Sequence, residues 1–194
     1  GAPLGGLSHG AAGVAAALAH AGHPDAAARA LGYDRSLFRP AESNWADLRR
    51  PGRCAVTWCH GAPGIGLSRL LLRDALGPDD LLAGEITTAV RTTLAAGFGR
   101  NHSLCHGDLG NLDLLLAAAP SSAGAPAAAV LRDGLAEGWR CANPAMLASP
   151  ELMTGLSGIG LGLLRLAAPD RVPSVLLLAP PAAARDRREQ RCAA

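Results

Sequence analysis

Two stretches, "WCHGAPG" at 58–64 and "LCHGDLG" at 104–110, put two of the chain's five cysteines into the same Cys-His-Gly-x-x-Gly setting. Thiolate sulfur and imidazole nitrogen are ligands that zinc favours; structural zinc takes four protein ligands, while catalytic zinc takes three and keeps a fourth position open. If the two turns meet, Cys59, Cys105 and His106 form a three-ligand set of the catalytic kind. The plain alternative is that these are packing residues at a junction, where cysteine is commonly buried. Cys54 lies five residues before Cys59 and could compete as a ligand, but it falls outside the repeated frame. Cys141 and Cys192 have no such frame and read as ordinary thiols.

His9, in "LSHGAAG", holds the place of His60 and His106 in their motifs. An imidazole exchanges protons near neutral pH, which makes His9 a candidate proton donor or acceptor at the same rim; otherwise it is a turn residue. His20, His23 and His102 read as surface or turn residues. Asp108 reads as a turn cap or as a partner that orients His106.

What must position these residues is a repeat. The element occurs as "LSHGAAGVAAAL", "WCHGAPGIGLSRLLL", "LCHGDLGNLDLLL" and "LMTGLSGIGLGLLRL", with first glycines Gly10, Gly61, Gly107 and Gly155 at intervals of 51, 46 and 48 residues. A near-constant period of this size marks one supersecondary unit per repeat. Each motif runs into a leucine- or alanine-rich segment with helical spacing, as at Leu67, Leu70 and Leu71. The glycines suit a tight lead-in turn and close helix approach. Between motifs there is length for a second helix, and 82–97 has the composition for one. Strand-like alternation is weak. The expected fold is all-α: helical hairpins side by side, with motif helices on one face and connecting helices on the other. Cys59 and Cys105, 46 residues apart, would then be neighbours at one end of the stack.

Composition narrows the chemistry. All 18 basic residues are arginine, which excludes a phosphate-loop lysine and a Schiff-base lysine. A net charge of +2 is too small to argue for nucleic acid or an anionic membrane surface. The apolar runs are broken by proline and fall short of a membrane span, and the N-terminal residues do not read as a signal peptide. Five cysteines at irregular spacing argue against a disulfide framework and for a reducing compartment, the cytoplasm. "GLSGIGLG" at 155–162 is explained by the repeat and not by dinucleotide binding. The expected division is a domain over 1–180 and a polar tail over 181–194.

With these motifs in hand, the chain resembles the lanthionine cyclase family, in particular the C-terminal cyclase domain of class II lanthipeptide synthetases. The matching stretches are "GLSHGAAG", "FRPAESNWADLR", "WCHGAPGIGLSRL", "NHSLCHGDLGNLDLLL" and "LMTGLSGIGLGLLRL", in order over nearly all of 1–178. The resemblance implies an α/α toroid of seven helical hairpins, of which about four are visible. It implies Zn2+ at Cys59, Cys105 and His106, acid/base work at His9, and a dehydrated precursor peptide as substrate. The implied reaction adds a peptide cysteine thiol to dehydroalanine or dehydrobutyrine, closing a thioether ring. A family aspartate falls outside the visible repeats, and for a family arginine before the first cysteine Arg53 is the nearest residue. The chain therefore reads as a fragment whose partner is the missing N-terminal part of the synthetase. An arc of four units, with exposed helix flanks, is expected to have little or no cyclase activity alone. Two rivals remain: a non-catalytic module binding zinc and a glutathione-like thiol, and another α/α toroid enzyme such as a glycoside hydrolase. The latter needs two carboxylates across a cleft, and the motif turns offer only Asp108.

Overall fold

The computed structural model describes residues 3–143 and 147–178. Seven α-helices lie among them: α1 (Ala11–His20), α2 (Pro24–Ser36), α3 (Ala62–Leu76), α4 (Asp80–Ala96), α5 (Asp108–Ala118), α6 (Gly124–Glu137) and α7 (Leu156–Ala167). Two-residue strands β1 (Phe38–Arg39) and β2 (Asn44–Trp45) pair antiparallel within the longer first interval. The all-α expectation holds. The tail expected at 181–194, with Cys192, lies outside the described residues.

The motif helices α1, α3, α5 and α7 follow the four glycine motifs and pack on one another in that order, while α2, α4 and α6 fold back as their hairpin partners. Among the described residues the units are thus three hairpins and the motif helix of a fourth. Position in the stack explains burial. Helix α5, flanked by α3 and α7, buries Leu109, Leu112, Leu114 and Leu115 together with the polar Asp108, Asn111 and Asp113. At the two ends, Val14 on α1 and Leu156 and Leu164 on α7 stay exposed, because no further motif helix covers them among the described residues.

The glycines do what close approach demands. The chain before each helix folds over the first turn, so that Ala11, Asp108 and Leu156 each donate their N–H to the carbonyl seven residues earlier, at 2.8, 2.8 and 2.7 Å. In the second repeat the side chain of Asn44 substitutes, accepting from Ala62 N at 2.9 Å. A Cβ on Gly64 would stand 1.8 Å from the Trp58 carbonyl oxygen, and Gly13, Gly110 and Gly158 stand in the same relation to the residue six before. Gly64→Ala is therefore expected to destabilise the protein by about 2–3 kcal/mol, since backbone and not a flexible side chain must move. Gly32→Ala, inside α2 with nothing within 4 Å of its Cβ position, should stabilise by about 1 kcal/mol instead. Urea unfolding of both variants checks the contrast.

Charges tie three helices together beneath the first turn. The fully buried Arg69 of α3 donates from Nη2 to Asp34 of α2 at 2.7 Å and from Nε to Glu85 of α4 at 3.0 Å. Arg35 of α2 reaches the same Glu85 at 2.8 Å. The other oxygen of Asp34 accepts from Gly6 N at 3.3 Å, so the network reaches the loop that carries His9. At the far end, Asp113 of α5 accepts from Arg165 and Ser174, which fastens the segment after α7 across α5.

Candidate functional site

Equivalent positions of successive motifs are joined main chain to main chain. Ser8, Cys59, Cys105 and Met153 each stand two residues before the first glycine of their motif. The N–H of Ser8 donates to the carbonyl of Cys59 at 3.4 Å, that of Cys59 to Cys105 at 3.2 Å, and that of Cys105 to Met153 at 2.8 Å. This ladder sets the four turns in register at one rim. Only the second and third turns carry cysteine there, so two thiols become neighbours.

The ligand atoms of Cys59, Cys105 and His106 all lie within 4.8 Å of one another, a group that could hold a metal ion. Cys59 is buried, and Cys105 and His106 are half-buried. His106 Nε2 donates to the Ala142 carbonyl at 3.3 Å in the tautomer that leaves Nδ1 with its lone pair free. Hydrogen bonding from Cys105 holds the Cys59 thiol well below its ordinary value against the opposing effect of burial, with help from His106 and Thr57. The same contact pushes Cys105 upward. The hydrogen bond with Cys59 raises the His106 imidazole, again against burial.

His9 is exposed on the wall of an open cleft of about 880 Å³, lined also by Val14, Trp58, Leu152, Met153 and Leu178. Its ring centroid is 5.7 Å from that of His60. His60 itself turns inward and is buried; burial lowers its pKa, and the charge of Arg49 adds to the effect.

Several expectations are corrected. His102 is no surface residue: it is fully buried, accepts from Arg140 N at Nδ1 at 2.9 Å and meets Asp133 through Nε2 at 2.9 Å, with Trp139 edge-on to its ring. The motif turn needs a filled joint with the end of α6, and histidine supplies polar atoms on both sides. Asp108 serves the turn, as the first of its two readings expects, and does not orient His106. Its carboxylate accepts from the N–H groups of Gly99 and Arg100 at 3.1 and 3.3 Å, holding the preceding loop, while the Ala142 carbonyl orients the imidazole. Arg53 is exposed, with only its backbone engaged in its loop. Arg49 instead forks its guanidinium onto the buried Asp47 through two 3.0 Å bonds, which raise its pKa, with a smaller contribution from the charges of Cys59 and Cys105. Asp47, Arg49 and Thr57 stand out only in the folded chain, because nothing local sets one arginine or threonine apart; the sequence signals for the first two are the Asp-x-Arg spacing at 47–49 and their place at the end of the family-like stretch "FRPAESNWADLR".

Stacked helical hairpins with motif turns gathered at one rim define the α/α toroid class, here as a partial ring. Nisin cyclase is similar in structure, with a TM-score of 0.64 and 20% identity over 91% of this chain and 50% of its own. The present chain thus spans about half the length of that relative. No curated protein gives a match. The family model for "Lanthionine synthetase C-like protein" matches residues 1–177, and the chain belongs to that family.

Proposed function

We propose that this chain is the metal-bearing part of a zinc-dependent lanthionine cyclase domain, acting in lanthipeptide maturation on a dehydrated precursor peptide. The convergence of Cys59, Cys105 and His106 on one point is the observation that carries the reading. Their chemistry fits zinc. Bonds of 2.3 Å to sulfur and 2.0–2.1 Å to nitrogen put tetrahedral ligand atoms roughly 3.5–3.8 Å apart, within small side-chain rotations of the observed spacing. A ligating histidine also characteristically gives its other N–H to a carbonyl, as His106 does to Ala142. When bound, the ion supplies the Lewis acidity that keeps an incoming thiol in its nucleophilic thiolate form at neutral pH.

The chain's own residues supply the rest. The apolar wall formed by Trp58, Leu152 and Met153 offers the peptide an apolar seat in the open cleft. The substrate sulfur forms a bond to the β-carbon of the dehydro residue as its carbon–carbon double bond becomes an enolate. His9, on the same cleft wall, delivers the proton to the α-carbon directly or through one water. Arg49 presents positive charge to this region, held in place by Asp47. The sequence of addition and protonation needs no redox cofactor.

Because the chain spans half of nisin cyclase, we assign ring closure of the toroid to the rest of the synthetase, its proposed partner. The same fact favours a second reading, in which this chain alone holds zinc and a thiol without turning substrate over. The described residues contain four free cysteines, in keeping with a proposed cytoplasmic setting. No described helix is long and apolar enough to cross a membrane.

The test follows free thiol in a dehydrated precursor peptide incubated with zinc-loaded protein. His9→Ala is expected to leave zinc content and thiol binding unchanged and to remove any ring formation, about 10²–10⁴-fold in rate, as for loss of a general acid. Equal ring formation by His9→Ala and parent would defeat the assignment of His9. Thiol binding with no ring formation by the parent would select the second reading.

A further inference from the structure

The hydroxyl of Thr57 takes no part in the bond-making steps above, yet it is buried against the cluster. Its Oγ1 lies 3.4 Å from Cys59 Sγ and 2.9 Å from the His60 carbonyl oxygen, and accepts from His60 N at 3.4 Å. Only 4% of the residue is exposed, so water does not compete for these contacts.

A hydroxyl has one proton to give and here two acceptors. The His60 carbonyl is already served by the backbone N–H of Thr57 itself, at 3.1 Å. Turning the O–H toward sulfur therefore leaves no carbonyl unpaired and requires only rotation about the Cβ–Oγ1 bond. A sulfur that ligates a metal carries negative charge, and hydrogen bonds to ionised acceptors are roughly twice as strong as neutral ones. The β-branched side chain is stiff at χ1 and is pinned on both sides by the His60 backbone, so the donor is held ready.

We propose that Thr57 is a positioning residue of the metal centre: its hydroxyl donates to Cys59 Sγ in the loaded protein, fixing that sulfur's direction and tempering its electron donation to the ion. The inference rests on the metal reading of Cys59, Cys105 and His106.

The experiment uses the full 194-residue chain, loaded with Zn2+ or with Co2+ as a coloured substitute. Thr57→Val keeps shape and removes the donor; Thr57→Ser restores it. Two quantities are read: metal affinity by competition with a chelator, and the energy of the sulfur-to-cobalt charge-transfer band. Thr57→Val is expected to bind zinc about 10–100-fold more weakly, the range for losing an outer hydrogen-bond partner, and to shift the band to longer wavelength. Thr57→Ser should return both toward the parent values. An unchanged band in Thr57→Val would overturn the proposal, even if stability fell, because a merely packed threonine would not alter the sulfur. So would a Thr57→Ser protein that fails to recover band and affinity. If the parent itself binds neither ion, the metal reading fails and the inference fails with it; a parent that binds both ions with an unaffected Thr57→Val defeats the inference alone.

Discussion

Cys105→Ala and Cys59→Ala should each purify essentially free of zinc, where the parent protein carries about one ion per chain, as measured by elemental analysis after gel filtration. The loss should exceed the ~10–100-fold that removal of an outer partner costs, because one of three protein ligands disappears outright. The fold gives this prediction a clean control. The bonds that bring the turns together run from Ser8 N–H to the Cys59 carbonyl, from Cys59 N–H to the Cys105 carbonyl and from Cys105 N–H to the Met153 carbonyl. They use main-chain atoms that alanine retains, so the register of the turns survives and the far-ultraviolet spectrum should stay that of the parent. Cys141, fully buried and outside the cluster, provides the opposite case. Its replacement by Ala should affect stability and leave the zinc content intact. Retention of zinc by both Cys59→Ala and Cys105→Ala would remove the basis for the cyclase reading.

Arg69→Met is expected to destabilise the protein by about 3–5 kcal/mol, a large share of the 5–15 kcal/mol available to a domain, read as the shift in a urea or thermal unfolding curve. The substitution preserves much of the side chain's bulk, and its harm comes from what it leaves behind. Asp34, with no exposed surface, would keep a single backbone partner, Gly6 N at 3.3 Å, for a charge formerly met by a guanidinium at 2.7 Å. Glu85 suffers less, since it is partly exposed and still meets Arg35 at 2.8 Å. The double variant Asp34→Leu with Arg69→Met should recover much of the loss, because apolar replacement of a whole buried pair is often neutral or better. Failure of the single variant to destabilise would mean that water reaches Asp34 and that the three-helix junction is looser than its geometry indicates.

Much of the helical architecture was legible because its cause is local. Gly-x-x-Gly followed by a leucine-rich run specifies a tight turn and a helix wherever it occurs, and the second helix of each hairpin had its own apolar spacing, as in α4 at Asp80–Ala96. The candidate ligands were legible because two cysteines shared one frame. What escaped was set by contacts between distant segments. His102 lies in a polar stretch that suggests a surface, yet the end of α6 closes over it and supplies Asp133 and Arg140 as partners. Asp108 stands two residues after His106 in the chain, but the helix start turns its carboxylate back toward Gly99 and Arg100. Arg49 and Arg53 are equivalent as letters; the Asp47 fork distinguishes them only once the loop is folded.

By itself, the sequence determined the repeat, the all-helical class and the candidate sulfur and nitrogen donors, since periodicity and residue type are properties of short segments. The repeat already implied that Cys59 and Cys105, 46 residues apart, would be neighbours; tertiary structure alone decided that their sulfurs and the His106 imidazole lie within 4.8 Å of one another, that the His9 ring stands on a cleft wall 5.7 Å from that of His60, and that Thr57 touches the first sulfur. The physical reason is that these relations run through backbone hydrogen bonds between turns of different repeats. Such bonds are made by N–H and C=O groups that every non-proline residue carries, so no letter of the sequence announces them.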